Sequence, residues 1–362
     1  MTEYPYYTYL IAAFGIAVVL LVSLQPVAHR IGLVDSPNNR KHHKGNVPLI
    51  GGLAMFIAIS LIMLAVNLPL SQLRAFFAGS IILILVGVLD DLHELSARTR
   101  FLAQIIATGI MATLGGTIII DFGALVSDQF IVTLGWLALP VTIFSSIGVI
   151  NSLNMVDGVD GLAGSVSLVA VGSMIIIAMG HGDIHTAKLL GIIGIVLFAF
   201  LLFNWSISGS QHARVFMGDS GSMFLGFVLS WYFITLSQGE NRAMNPVIAL
   251  WLYAVPLNDT LTMMIRRIRK GRSPFSADRE HFHHLLQMAG YNKRDTALFM
   301  LGYAVIAAAI GLLGWHLGIP EHIMFYLFLA VFAAHFAIVM RAWKVMRFLK
   351  RRIAAPKGIT DE

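Results

Sequence analysis

The chain of 362 residues contains no cysteine, and only 12% of its residues are charged. The absence of cysteine excludes disulfide bonds, thiolate metal sites and a cysteine nucleophile. The charged fraction is about half that of an ordinary soluble domain. A water-soluble fold of this length would need more polar surface to cover its core. The shortage of charged residues excludes a cytosolic globular enzyme.

Apolar residues are abundant instead, at 57% of the chain, and the mean hydropathy is +0.78. Several uncharged runs approach or reach the ~20 residues that a helix needs to cross a bilayer. We therefore predict an all-α, polytopic integral membrane protein with about eleven transmembrane helices. The first run has no Lys or Arg before it and no small-residue cleavage site, which predicts a membrane span and not a cleaved signal peptide. The predicted spans are 6–24, 48–66, 75–89, 101–120, 130–150, 162–179, 189–203, 220–236, 246–264, 298–317 and 322–340.

The basic residues predict the orientation, because Lys and Arg concentrate in cytoplasmic segments. With the N-terminus in the periplasm, 22 of the 25 Lys and Arg residues fall in inner segments, and only Arg74, Lys188 and Arg242 fall in outer ones. The C-terminus is then cytoplasmic, and the net charge of +6 reflects topology, so no nucleic-acid partner is expected. We predict one membrane-embedded domain over 1–340, cytoplasmic loops at 25–47, 90–100, 151–161, 204–219 and 265–297, and a basic cytoplasmic tail over 341–362, which would anchor to anionic lipid head groups.

Four polar clusters stand out from this apolar background, and the predicted topology places all of them on the cytoplasmic side. Carboxylates, an amide and imidazoles that collect at one membrane face indicate an active site. The clusters are Asp90-Asp91, the segment 151–161 with Asn154, Asp157 and Asp160, the segment 216–221 with Asp219, and the segment 281–284 with His281, His283 and His284.

The paired carboxylates of Asp90 and Asp91 follow a predicted span of only 15 residues, 75–89, or roughly 22 Å of helix. So short a helix predicts that both carboxylates lie at or slightly below the head-group boundary. Two adjacent carboxylates stay ionised there only with a cation nearby. They are interpreted as metal or substrate contacts, and the alternative is a solvated helix end.

The acceptors Asn154, Asp157 and Asp160 recur every three residues, so they can share one face of a helical turn. Such a set suits Mg²⁺, which prefers oxygen ligands and keeps several waters; the alternative is a plain polar turn. Asp219 opens the eighth span, where it is either a metal ligand or simply a helix cap.

The three histidines lie in the most basic inner loop. They are interpreted as contacts to phosphate oxygens, together with guanidinium groups. A zinc site and a plain amphipathic loop remain as alternatives. Asp259, within the ninth span, is expected to make a salt bridge or polar contact near the site, because an unpartnered acid inside a membrane is costly.

The segments 88–91, 151–162, 215–222 and 281–284 together resemble the signatures of the polyprenyl-phosphate N-acetylhexosamine-1-phosphate transferases, the glycosyltransferase 4 family. The resemblance extends from about residue 35 to residue 291 and includes the order and spacing of the motifs. It implies transfer of N-acetylglucosamine 1-phosphate from UDP-N-acetylglucosamine to undecaprenyl phosphate, with release of UMP. The product would be the first lipid-linked intermediate of O-antigen or a related surface polysaccharide. The implied location is the bacterial inner membrane, with the active site on its cytoplasmic face.

The resemblance also implies roles for individual residues. Mg²⁺ is the expected cofactor, with Mn²⁺ as the alternative, and Asn154 and Asp219 would hold it. Asp90 and Asp91 would lie at the lipid phosphate, as base, metal ligand or positioning groups. Expected partners are the two substrates and, as an open alternative, a second copy of the chain in a homodimer. The remaining residues expected at the nucleotide, the diphosphate or the acceptor are Asp157, Asp160, His281, His283, His284, Asp35, Lys44, Arg98, Asn204, Arg267 and Arg279.

Three rival functions remain at this point. The same chemistry could use another UDP-N-acetylhexosamine. A polytopic transporter would place its binding groups near the bilayer midplane, often within repeats, which does not match clusters at one face. A non-catalytic scaffold would leave the four clusters unexplained.

Overall fold

A computed structural model describes residues 5–36, 45–66, 70–205, 213–274 and 281–341, with the backbone alone for 70–72. Within these ranges the chain is almost entirely helical. Two short strands, β1 (Val34–Asp35) and β2 (Val47–Pro48), pair antiparallel. The helices are α1 (Tyr6–Ile31), α2 (Gly51–Ala65), α3 (Leu70–His93), α4 (Ala97–Thr113), α5 (Ala138–Val156), α6 (Leu162–His181), α7 (Ile184–Asn204), α8 (Gly218–Ser237), α9 (Pro246–Leu252), α10 (Ala254–Arg269), α11 (Phe282–Met288), α12 (Lys293–His316) and α13 (Glu321–Met340).

Eight of these helices are long and apolar enough to cross a membrane. The pair α9 and α10 forms a ninth candidate span that is bent by 86° at Tyr253. The predicted all-α, polytopic membrane protein is therefore confirmed. Every predicted span overlaps a helix or this bent pair, but α2 and α4, with 15 and 17 residues, are shorter than the eight spanning helices. The number eleven and the orientation stay predictions, as do the single domain over 1–340 and the lipid anchoring of the tail, almost all of which lies outside the described residues.

Two predicted boundaries on the opposite side of the bundle from Asp90 are wrong. The span predicted over 101–120 ends as a helix at Thr113, just before Gly115 and Gly116, and Gly116 adopts a positive φ of 64°. A loop with isolated β-bridges follows, and the span predicted from residue 130 begins as an α-helix only at Ala138. The loop is rich in apolar, β-branched residues, so it was predicted as part of two helices. Hydropathy alone does not separate strand from helix.

The span predicted over 75–89 is also wrong in length, since α3 continues to His93. Asp90 and Asp91 lie within its last turn and do not follow a short helix. The prediction stopped at the first charged residue, but a charge near a helix end does not break the backbone hydrogen bonds that propagate the helix.

Helix α8 is the centre of the bundle, and 94% of its most apolar 18-residue stretch is buried. Its neighbours approach closely through glycine. A Cβ added to Gly52 of α2 would lie 2.2 Å from the Gly221 nitrogen, and one added to Gly87 of α3 would lie 2.2 Å from the Ser220 Cα. A Cβ on Gly226 would lie 2.6 Å from the Cα of Ile150 in α5. The absence of side chains at these positions brings α2 and α3 against the N-terminus of α8 and packs α5 against its middle.

Candidate active site

Asp91, near the end of α3, caps the N-terminus of α8. Its Oδ1 accepts a hydrogen bond from the Asp219 backbone N–H at 2.8 Å. Its Oδ2 accepts from the Ser220 backbone N–H at 3.2 Å and from the Ser220 hydroxyl at 3.1 Å. The first N–H groups of a helix lack intrahelical partners, and a carboxylate there also complements the helix dipole. Asp91 therefore fixes where α8 starts and how Asp219 is presented.

Gly218 makes this contact possible. It adopts a positive φ of 73°, and a Cβ at this position would lie 2.6 Å from Asp91 Oδ2. Only glycine takes this backbone conformation readily, and only glycine leaves room for the carboxylate. The glycine of the Gly218-Asp219 motif is thus explained by the approach of α3 to α8.

Asp219 takes part in a polar cluster and is not the cap of its own helix. Its Oδ1 accepts a short hydrogen bond from Asn154 Nδ2, which also donates to Ser222 Oγ at 2.9 Å. Its Oδ2 lies 3.8 Å from Arg100 Nη1. Because Asp91 supplies the capping oxygens, the carboxylate of Asp219 projects towards Asn154 and Arg100 and can contact a ligand.

Arg100, in the first turn of α4, is the cation of this cluster. Its Nη1 lies 2.9 Å from Asp90 Oδ2, and Asp90 Oδ1 accepts from the Leu95 backbone N–H at 2.7 Å. Asp90 is only 4% exposed, whereas the Arg100 side chain is 36% exposed, so solvent reaches this ion pair from the side of the guanidinium. Arg98, which the sequence predicts at the site, has an exposed side chain, and its contact with a substrate stays a prediction. Residues two apart on a helix point to opposite faces, and the contact to Asp90 selects Arg100.

The segment after Asn154 leaves the helix sooner than predicted. Helix α5 ends at Val156, and Asp157 is its C-cap residue. Only Asn154 of the three acceptors is helical, so the expectation that they share one helical face is wrong. The Gly-Val-Asp-Gly sequence at 158–161 forms a turn instead of continuing the helix. Gly161 takes a positive φ of 79° and is the N-cap residue of α6.

Asn204 holds the turn between α5 and α6. It is 3% exposed, its Oδ1 accepts from the Gly161 N–H at 2.8 Å, and its Nδ2 donates to the Val215 carbonyl at 2.9 Å. These bonds join three separate segments near the cluster. Its contact with a nucleotide stays a prediction.

The pKa of Asp157 reflects the excess of negative charge in the cluster. Burial raises the pKa of its carboxyl group well above the ordinary value, and the charges of Asp219, Asp91 and Asp160 raise it further. Among the described residues that form the cluster, Arg100 supplies the positive charge within reach of both Asp90 and Asp219. Carboxylates in such proximity favour the binding of a cation.

These residues fit a hard divalent cation that completes its shell with other ligands. In the part of the chain that the structure describes, no three carboxylate or imidazole groups converge into a ready-made metal site. Mg²⁺ characteristically uses one or two protein carboxylates together with waters and substrate phosphates, so this arrangement suits it. Asp219 is the best-placed carboxylate. The amide oxygen of Asn154 becomes a ligand if the amide turns over, since amide orientation is an assignment from hydrogen bonds.

The histidine segment lies beside the α5–α6 turn. Nδ1 of His281 is 3.0 Å from Asp259 Oδ2, and the rings of His281 and His283 are stacked with centroids 5.9 Å apart. A Cβ added to Gly158 would lie 2.9 Å from His283 Nε2. The histidines therefore meet the segment that carries Asp157 and Asp160, as the sequence analysis expected of an active site.

His283 is held neutral. It is 1% exposed, and both of its ring nitrogens are buried without a hydrogen-bond partner among the described residues. Burial, reinforced by the neighbouring His284, lowers its pKa to about 3. Buried polar groups without partners are rare in proteins, and they are expected where a ligand supplies the partner. A neutral His283 can give a ligand one hydrogen bond but no charge.

The remaining predicted residues are dispersed around this centre. Asp35 lies in β1, opposite Val47. Arg267 is 2% exposed and donates from Nη1 to the Pro274 carbonyl at 2.7 Å, so part of its guanidinium organises the loop after α10. Asp160 and His284 are half-buried. Lys44 and Arg279 lie outside the described residues.

The fold and this cluster define a polytopic membrane protein with a site rich in carboxylates, and sequence comparison places the chain in a family. The model of glycosyl transferase family 4 matches residues 73–237, which include Asp90, Asp91, Asn154 and Asp219. The chain belongs to this family, as the resemblance of its motifs had indicated.

Its relatives carry a common name, undecaprenyl-phosphate alpha-N-acetylglucosaminyl 1-phosphate transferase. The protein of that name from Yersinia pestis is 37% identical over 345 residues, covering 95% of this chain and 94% of the relative. The protein from Escherichia coli strain K12 is 35% identical over the same shares. The protein from Pasteurella multocida is 37% identical over 98% of this chain and 99% of its own. The similarity therefore includes the histidine segment, which lies beyond the part matched by the family model.

Proposed function

We propose that this protein transfers N-acetylglucosamine 1-phosphate from UDP-N-acetylglucosamine to undecaprenyl phosphate. The products are UMP and a lipid-linked sugar diphosphate, the first intermediate of O-antigen or a related surface polysaccharide. The observation that carries the proposal is the cluster at the start of α8, where Asp91 presents Asp219 beside Arg100 and Asn154. The residues of this cluster lie within the part of the chain that the family model matches, and the relatives of the chain bear the transferase name.

The reaction replaces one phosphoanhydride bond by another. An oxygen of undecaprenyl phosphate attacks the β-phosphorus of the nucleotide sugar, the bond from that phosphorus to the bridging oxygen breaks, and UMP leaves. The protein contributes chiefly by placing the two anions in line and by offsetting their charge. Mg²⁺, when bound by Asp219 with Asn154, supplies positive charge at the transferred group.

No strong base is required at the acceptor. A phosphate monoester has a second pKa near 6 and is mostly dianionic at pH 7, so its oxygen is already nucleophilic. Asp91 has both carboxylate oxygens engaged by α8, which suits a positioning group and not a proton acceptor. Asp90, paired with Arg100, orients that guanidinium.

The two substrates approach from different phases. Undecaprenyl phosphate lies in the bilayer, and Arg100, in the first turn of α4, is the cation that we assign to its phosphate. The nucleotide sugar is soluble, and we assign its diphosphate to the histidine segment and the basic residues before it. The proposed location is the bacterial inner membrane with this site on the cytoplasmic face, supported by the distribution of Lys and Arg. A homodimer stays a prediction.

The donor sugar can be tested with a panel of UDP-sugars. The cations that precede the histidines, among them Arg266, Arg267 and Arg269, suit a compact diphosphate with a small neutral sugar, bound by charge-assisted hydrogen bonds. We expect UDP-N-acetylglucosamine to be used and UDP-N-acetylmuramoyl-pentapeptide to be rejected. Purified protein would be incubated with undecaprenyl phosphate and Mg²⁺, and the lipid products would be identified by mass. Equal turnover of the pentapeptide substrate would refute this specificity, and uptake of nucleotide sugar without UMP would indicate a transporter.

The role of Arg100 has a matched control two residues away. Arg100→Gln removes the charge beside Asp90 and Asp219, and we expect kcat/KM for undecaprenyl phosphate to fall about 10-fold to 100-fold, or ~1.4 to 2.7 kcal/mol. Arg98→Gln removes the same charge from the exposed face of the same helical turn and should change it by less than about twofold, within the range of surface substitutions. Equal losses in the two variants would show that only the general positive charge of this segment matters.

A further inference from the structure

Asp259 is a buried carboxylate in α10 that the reaction outlined above does not use. It is 0% exposed. Its Oδ2 lies 3.0 Å from His281 Nδ1, and its Oδ1 accepts from the Phe282 backbone N–H at 2.9 Å. Both oxygens therefore bind the start of α11, where the histidine segment begins. Asp259 lies outside the residues matched by the family model, which end at 237.

Stability alone does not explain a carboxylate at this position. Removing a carboxylate from water is costly, and apolar residues of similar volume often replace buried ion pairs with no loss of stability. The neighbouring polar residue, Asn258, is also 0% exposed but points to another partner, the Tyr303 hydroxyl, at 2.8 Å. The two adjacent buried polar residues thus bond to different segments. Asn258 bonds to α12, and the carboxylate of Asp259 bonds to His281.

The two bonds define the chemical state of His281. A backbone N–H can only donate, so Asp259 Oδ1 is committed to Phe282. Asp259 Oδ2 is a pure acceptor when ionised, so it requires a proton on His281 Nδ1. The imidazole is then held in one tautomer and one orientation, and only Nε2 is left to contact a ligand. The hydrogen bond made by one ring nitrogen commonly decides the role of the other.

We propose that Asp259 is a positioning residue that aims His281 Nε2 at the diphosphate of the nucleotide sugar. This inference rests on the proposed function, since it takes His281 as a contact of that diphosphate. Asp259 itself touches no substrate. Its effect passes through His281, and it also fixes the beginning of α11 and hence the place of His283 beside Gly158.

The substitution Asp259→Asn tests the proposal with minimal change in shape. The Phe282 N–H still requires an acceptor, so the amide oxygen stays there and the amide NH₂ faces His281 Nδ1. His281 must then carry its proton on Nε2. We expect kcat/KM for UDP-N-acetylglucosamine to fall at least about 10-fold, with most of the loss in KM for the nucleotide sugar and little change in KM for undecaprenyl phosphate.

A double-mutant cycle separates positioning from support of the fold, because residues that act through one another are not additive. With His281→Ala already present, adding Asp259→Asn should reduce kcat/KM by no more than about twofold. A further 10-fold loss in that background would refute the positioning role. Tyr303→Phe is the control, because it removes a hydroxyl from the same buried region, at Asn258, without touching His281. It should leave KM for the nucleotide sugar unchanged.

The tautomer of His281 can be read without any activity, by ¹⁵N NMR of histidine-labelled protein with His281→Ala to assign the signal. The chain with Asp259 should show Nδ1 protonated, and Asp259→Asn should move the proton to Nε2. An unchanged signal would overturn the inference even if the transferase reaction is correct. Conversely, a tautomer change in a protein that releases no UMP would leave the Asp259–His281 contact intact and refute the proposed function.

Discussion

Replacing Asp219 by Asn is expected to lower turnover by more than about 10²-fold, or ~2.7 kcal/mol. The substitution keeps the shape of the side chain and its bond to Asn154 but removes the charge that would balance Mg²⁺. This carboxylate is about one-third exposed and lies 3.8 Å from Arg100, so a bound ion can reach it. The activity of purified protein would be measured across a range of Mg²⁺ concentrations, and Mn²⁺ binding would be measured by electron paramagnetic resonance.

A helix elsewhere in the chain offers the control. Asp295 is an exposed acid in the first turn of α12, as Asp219 is in the first turn of α8. Asp295→Asn therefore repeats the loss of an acid near a helix dipole without touching the cluster, and it should leave turnover and Mn²⁺ binding unchanged. Normal turnover in well-folded Asp219→Asn protein would remove Asp219 from the metal site.

The second large effect is expected at Asp91. In Asp91→Asn the amide NH₂ would face one or more of the three donors that Asp91 now accepts, the N–H groups of Asp219 and Ser220 and the Ser220 hydroxyl. Buried donors left without an acceptor cost about 1–3 kcal/mol, and the start of α8 should shift. We expect turnover to fall at least about 10-fold and the thermal unfolding temperature to drop. Turnover should suffer more than the affinity for the nucleotide sugar.

Asp183→Ala separates this effect from the ordinary loss of a helix cap. Asp183 caps α7, where its side chain accepts from the Thr186 N–H at 3.0 Å, far from the cluster. This variant should lower the unfolding temperature while turnover of the folded protein is unchanged. If Asp91→Asn chiefly weakened nucleotide-sugar binding and kept its turnover, the expected role of Asp91 at the lipid-phosphate end of the site would be contradicted.

Much of the fold follows from local properties of the sequence. Uncharged runs predicted each membrane helix, because a span must be apolar over most of its length. The start of α8 was predicted to within two residues, since the predicted span begins at residue 220 and the helix begins at Gly218. The convergence of four motifs was also predicted, because basic residues placed all of them on one side of the membrane.

The contacts inside the site could not be predicted in this way. Arg100 and Arg98 have the same charge and nearly the same position, and only the rotation of α4 against α3 selects Arg100. The capping of α8 by Asp91 joins residues 128 positions apart. A salt bridge or polar contact of Asp259 near the site was predicted, but His281 could not be predicted as its partner. These contacts join residues that are distant in the chain, and local patterns in a single sequence do not predict them.

The most direct test of the account follows the β-phosphate of the donor. UDP-N-acetylglucosamine labelled with ³²P at that phosphate would be given to purified protein with undecaprenyl phosphate and Mg²⁺, and the lipid and aqueous phases would then be separated. We expect the label to enter the lipid in step with the release of unlabelled UMP. Label that stays in the aqueous phase as UDP, with the sugar alone on the lipid, would contradict transfer of a sugar phosphate.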